Sequence, residues 1–122
     1  WTHLTSPFFE TEDYISAINK FIENKNKHDS LVSVTRVNDF IWKKSKRHLI
    51  NVEGNKWPRT QDLNDLFSIN NAVFIFTKKI YKLFKNRIGE NPYLYEIDKL
   101  KSLDIDDEFD FSFLEYLLSV KQ

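Results

Sequence analysis

Two short runs, Leu31-Val32-Ser33-Val34-Thr35 and Ala72-Val73-Phe74-Ile75-Phe76-Thr77, constrain this chain more than any other feature. Both are rich in β-branched or aromatic residues and bounded by polar turn residues or helical patterns, so each predicts a short buried strand. Helical periodicity surrounds them. Tyr14, Ile15, Ile18, Phe21 and Ile22 recur at helical spacing over residues 11 to about 27, and Ile80, Tyr81 and Phe84 share one face over 78 to 85. Helices alternating with strands predict an α/β fold, with residues 31–35 and 72–77 as neighbours in a sheet flanked by helices.

The remaining segments fill in that frame. Thr11 is the expected N-cap of the first helix, with Glu12 and Asp13 suited to its positive end. His48 to Val52 reads as a short strand, Glu53 to Lys56 as a turn, and Trp57 to Leu63 as a loop in which Pro58 extends Trp57. Asn70-Asn71 reads as a turn with a positive φ before the second buried strand. Leu94 to Ile97 fits an edge strand and Leu103-Asp104-Ile105 a short one. The last helix begins near Asp107 to Asp110 and is expected to bury Phe111, Leu114, Leu117 and Leu118. No linker interrupts residues 1–122, which read as a single domain. The opening Trp1-Thr2-His3-Leu4 reads as the end of a strand, so a preceding piece of chain is expected upstream.

Composition removes several classes of function. Eighteen Lys and Arg balance eighteen Asp and Glu, so no global field draws in nucleic acid or an anionic membrane. No apolar run approaches the roughly 20 residues that a spanning helix needs. Cysteine is absent, which excludes a disulfide framework, a thiolate metal site and a thiol nucleophile and suits a reducing, cytoplasmic setting. The three histidines, His3, His28 and His48, show no ligand spacing.

The sharpest chemical pattern is Asp104-Ile105-Asp106. On a strand, residues i and i+2 point to the same side, so the two carboxylates would face one point and suit a hard divalent cation such as Mg²⁺. The alternative is an acidic helix start, favoured by the helix dipole. Arg59-Thr60-Gln61-Asp62 places a guanidinium and an amide in one loop, a pair that reads carboxylate, phosphate or sugar hydroxyls; the alternative is a solvated loop with Arg59 paired to Asp62. Lys43, in Trp42-Lys43-Lys44, either holds a phosphate or belongs to a wet face.

These pieces occur in a telling order. Thr5-Ser6-Pro7, Val32-Ser33-Val34-Thr35, Arg59-Thr60-Gln61-Asp62-Leu63, Asn70-Asn71-Ala72-Val73-Phe74-Ile75, Arg87-Ile88-Gly89 and Asp104-Ile105-Asp106 in series resemble the acylneuraminate cytidylyltransferase family. The resemblance covers nearly the whole chain and matches the C-terminal portion of such an enzyme. It implies a Rossmann-like fold of the nucleotide-diphospho-sugar transferase type, with the Gly-rich N-terminal phosphate loop missing. The fragment alone is then expected to be inactive. The implied reaction transfers CMP from CTP to a sialic-acid-like acidic sugar and releases pyrophosphate.

Under the same resemblance Asp104 and Asp106 are the catalytic carboxylates that bind Mg²⁺, and Arg59, Gln61, Asn70, Phe74 and Lys43 line the substrate site. The implied partners are CTP, an acidic sugar and a second copy in a homodimer, with no nucleic acid and no membrane. Three departures fall on the sugar side. His3-Leu4 replaces the family's Gln-Pro, Thr60 replaces the second Arg of its loop, and Phe74 keeps the ring of its tyrosine without the hydroxyl. An acidic sugar other than sialic acid therefore fits as well. The alternative is a non-catalytic interaction or dimerisation module that keeps the fold.

Overall fold

The computed structural model describes residues 1–54 and 57–120. It holds a mixed α/β arrangement around a three-stranded sheet. Helix α1 (Thr11–Asn24) leads into β1 (Ser30–Arg36), and β2 (Trp42–Lys43) and β3 (His48–Leu49) form a separate hairpin. Strand β4 (Phe67–Phe76), helix α2 (Lys78–Phe84), strand β5 (Pro92–Glu96) and helix α3 (Glu108–Val120) complete the chain. The sheet order is β4-β1-β5, with β1 antiparallel to β4 and parallel to β5. Among the described residues no helix is long and apolar enough to cross a membrane.

The two strands expected from composition are indeed neighbours. Leu31 pairs with Ile75 and Val32 with Phe74, and Leu31, Val32, Val34, Ala72, Val73 and Phe74 are all buried. On one side Leu31, Ala72 and Val73 pack with Phe9, Ala17 and Ile97, while on the other Val32, Val34 and Phe74 form a second cluster. Helix α1 closes the first cluster through Tyr14, Ala17 and Phe21. That face is rotated from the expected one, because Ile15, Ile18 and Ile22 stay exposed. Its N-cap is Glu10 rather than Thr11, and the Glu10 N–H donates to Asp13 Oδ2 at 3.0 Å.

Four other expectations change. Strand β4 starts at Phe67, so Asn70-Asn71 lie inside it, and neither has a positive φ. Leu103 to Ile105 is not a strand: the Ile105 N–H gives a lone main-chain bond to Thr5 O (2.9 Å), and no ladder continues from it. Strand β3 ends at Leu49, where buried Asn51 takes over by accepting from Ile41 N (3.1 Å) and donating to Asp39 O (2.7 Å). Of the four apolar residues expected inside α3, Leu114 is buried and Leu117 is half-buried, while Phe111 and Leu118 are exposed. The turn expected over Glu53 to Lys56 includes Asn55 and Lys56, which lie outside the described residues.

The chain start runs along the outer edge of β4. Trp1 and Phe74 exchange two main-chain hydrogen bonds of 2.8 Å, and Thr2 Oγ1 donates to Ala72 O at 2.8 Å.

Candidate functional site

A pronounced irregularity of the sheet builds the site. Val32 pairs with Phe74 but Val34 pairs with Ile69, so Asn70, Asn71, Ala72 and Val73 all lie opposite the single residue Ser33. A bulge of this kind withdraws ladder bonds and re-aims side chains, and such features favour the neighbourhood of binding sites. Here β1 supplies the replacements. Fully buried Ser33 donates from Oγ to Val73 O (3.2 Å) and accepts from Val73 N (2.9 Å), which satisfies both main-chain groups. Two residues on, Thr35 Oγ1 accepts from Asn70 Nδ2 at 2.7 Å and fixes the amide. Asn70 Oδ1 is then left buried without a donor.

The bulge forms one wall of a cleft of about 420 Å³, and the loop before α3 forms the other. Asn70, Asn71 and Thr35 line it from the sheet; Lys99, Asp104 and Asp106 line it from the loop. Three contacts position that loop: the Ile105–Thr5 bond, an Asp98 Oδ1 acceptance from Lys101 N (2.9 Å), and an ion pair between Lys101 and Asp13 on α1. The hydrogen bond to Asp13 holds the Lys101 ammonium pKa above its ordinary value.

Helix α3 does not use Asp104 or Asp106 as its cap. Asp107 Oδ1 accepts the Asp110 N–H (2.9 Å), and Asp110 Oδ2 accepts the Asp106 N–H (3.2 Å). Asp104 Oδ1 accepts only its neighbour's N–H, from Ile105 at 3.1 Å, and the Asp106 carboxylate has no hydrogen-bond donor among the described residues. Two carboxylates on one cleft are hard oxygen donors, and Mg²⁺ is commonly held by one or two protein carboxylates. The residues present therefore fit such an ion, although among the described residues no set of three or more His, Asp or Glu side chains gathers into a complete cage.

The structure thus brings Asn70, Asp104 and Asp106 together, and places the other candidates elsewhere. Arg59 and Gln61 sit on an exposed one-turn 3₁₀ segment and its entry, and Arg59 forms a two-point pair with Asp62 (2.9 and 3.3 Å). Lys43 is exposed on the β2–β3 hairpin. Phe74 is buried in the second cluster, with the Arg87 guanidinium 4.4 Å from its ring centroid. Residues that sequence reasoning left out include Thr35 and Lys99. Thr35 was visible as the last polar position of the Val-Ser-Val-Thr run, whereas no local pattern marks Lys99.

Comparison with known proteins decides the lineage. No family model matches the chain. It is 30% identical to an N-acylneuraminate cytidylyltransferase from Escherichia coli over 128 aligned positions, which cover 97% of this chain and 28% of that protein. The chain is a relative of the acylneuraminate cytidylyltransferases. A CMP-N,N'-diacetyllegionaminic acid synthase from Campylobacter jejuni is 29% identical over 61% of the chain and 35% of its own length. A post-translational flagellin modification protein B from Campylobacter coli is 24% identical over 96% of the chain and 51% of its own length. The chain thus spans from about a quarter to half the length of the relatives it matches.

Proposed function

We propose that the cleft between the β4 bulge and the Asp104–Asp106 loop is the metal and sugar side of a cytidylyltransferase site within a Rossmann-like fold. The reaction would join a hydroxyl oxygen of an acidic sugar to the α-phosphorus of CTP as the bond to pyrophosphate breaks. The observation that carries this reading is the convergence of Asp104, Asp106 and Asn70 from separate elements, with helix capping left to Asp107 and Asp110. The printed names of two relatives, a cytidylyltransferase and a CMP-sugar acid synthase, support the same reaction class.

Asp104 and Asp106 would hold Mg²⁺, which when bound supplies charge neutralisation for phosphate oxygens. The protein's own part is orientation. Thr35 locks the Asn70 amide so that Oδ1 is left to accept a hydroxyl or amide N–H from the sugar. Lys99 adds the cationic group in the cleft. Arg59 and Gln61 belong to this reading only if their loop moves, since Arg59 is engaged by Asp62.

A second reading, a non-catalytic interaction module, is favoured by the exposed Phe109, Phe113, Tyr116 and Val120, which share one face of α3 at spacings of three and four residues, because contiguous apolar surface marks interfaces. One assay separates the two. The protein as encoded by its gene is given CTP, Mg²⁺ and a panel of acidic sugars, and pyrophosphate is measured. Release that requires both CTP and one of the sugars is the expected result. No release with any sugar would leave the module.

A further inference from the structure

We infer that Arg87 and Lys85 form an oxyanion-binding subsite over the Phe74 ring, separate in its lining from the Asp104 cleft. The Arg87 guanidinium is half-buried, lying 4.4 Å from the Phe74 ring centroid and 5.4 Å from that of Trp1. Both distances are in the range of cation–π attraction, so two rings fix the plane of the guanidinium. Its Nη1 donates to His3 Nε2 at 3.0 Å, which requires that nitrogen to be an unprotonated acceptor.

Guanidinium carries five N–H donors, and the remaining ones have no partner among the described residues. No carboxylate among the described residues lies within ion-pair distance of Arg87 either. A partly desolvated cation without an anion is uncommon, because burial of charge is compensated by pairing. The five cations between Phe67 and Gly89, namely Lys78, Lys79, Lys82, Lys85 and Arg87, share that segment with no acid at all.

The free donors border a pocket of about 310 Å³ lined by Trp1, Tyr81, Lys85, Asn86 and Arg87. It holds two cations, an amide and two aromatic rings, and no carboxylate. Lys85 is set there by its left-handed backbone (φ 52°), which ends α2 as its N–H bonds Tyr81 O. The Asn86 side chain is itself oriented, its Oδ1 accepting from Arg87 N at 2.7 Å. A planar fork of N–H donors beside an ammonium matches a carboxylate or a phosphate, the two oxyanions that pair with arginine at two points. This subsite rests on the pocket alone and is independent of the transferase reading.

The test is direct binding. The Arg87 Nε–Hε NMR signal is followed as inorganic pyrophosphate or N-acetylneuraminate is added separately, with Kd expected on the order of 1 mM or tighter. Saturable shifts with either probe are expected, and which probe acts distinguishes a phosphate from a carboxylate. For the effective probe, Lys85→Ala and Arg87→Gln should each weaken binding at least tenfold by calorimetry, with Arg87→Lys losing less. Lys85 is exposed, so its substitution tests the site without disturbing the core. No saturable shift with either probe, or affinity kept within twofold in both Lys85→Ala and Arg87→Gln, would overturn the subsite.

Discussion

Asp29, just ahead of β1, accepts main-chain N–H groups from Glu90 (2.8 Å) and Asn91 (3.2 Å) on one oxygen and the Ser30 hydroxyl (2.9 Å) on the other. These bonds tie the start of β1 to the loop that feeds the parallel strand β5. Gly89 permits the approach, since a Cβ there would lie 2.3 Å from Asp29 Oδ1. Burial acts to raise the Asp29 pKa, but the hydrogen bonds from Ser30, Asn91 and Glu90 outweigh it, and the net shift is downward. A depressed carboxylate pKa contributes stability above the ordinary carboxylate range and loses it as pH falls through the folded value. Denaturant unfolding between about pH 5 and about pH 3, spanning the ordinary carboxylate pKa, should therefore show a shallower loss of stability in Asp29→Asn than in the wild type. Parallel profiles would remove Asp29 from the acid response. Little of this was legible from Asp29 alone, because the two main-chain donors are some sixty positions away in sequence.

At the scale of elements, the register shift between β1 and β4 explains both a success and a miss. The run Ala72 to Phe76 announced its strand by composition. Asn70-Asn71 read as a turn because both residues favour turns locally, whereas the strand continues through them, with Thr35 holding the Asn70 side chain and Ser33 the Val73 main chain from β1. Such compensation is invisible to a local pattern. Ser33→Ala would leave the buried Val73 N–H and C=O without these partners, at a cost of about 1–3 kcal/mol. Urea unfolding measures that loss directly; a change within experimental error would mean that the bulge is held in another way. Helix α3 shows the opposite limit. Its apolar residues surround the axis, so periodicity gave a helix without giving its buried face, and Leu114 emerges as the residue that is buried.

Across the whole molecule, the order of motifs was more informative than any one of them. The α/β class, the pairing of the two buried strands and the kinship with cytidylyltransferases were all legible in the sequence. The composition of the site was less so. Asp104 and Asp106 share a cleft with Asn70, yet the strand geometry invoked to aim them together is absent, and a loop held by Thr5 and Asp13 does the positioning. Arg59 and Lys43 depend on where surface segments lie, which local spacing does not encode. The central proposal is that Asp104 and Asp106 act on substrate chemistry and not as helix-start decoration, a role that the capping by Asp107 leaves open to them. The most direct measurement is pyrophosphate release from CTP and the accepted sugar by Asp104→Asn, run beside a thermal melt and a Mg²⁺ titration. The account predicts activity lower by about 100-fold or more, on the order of 2.7 kcal/mol, with partial recovery at high Mg²⁺ and a melting temperature close to wild type. Activity that survives while the melting temperature alone falls would contradict it.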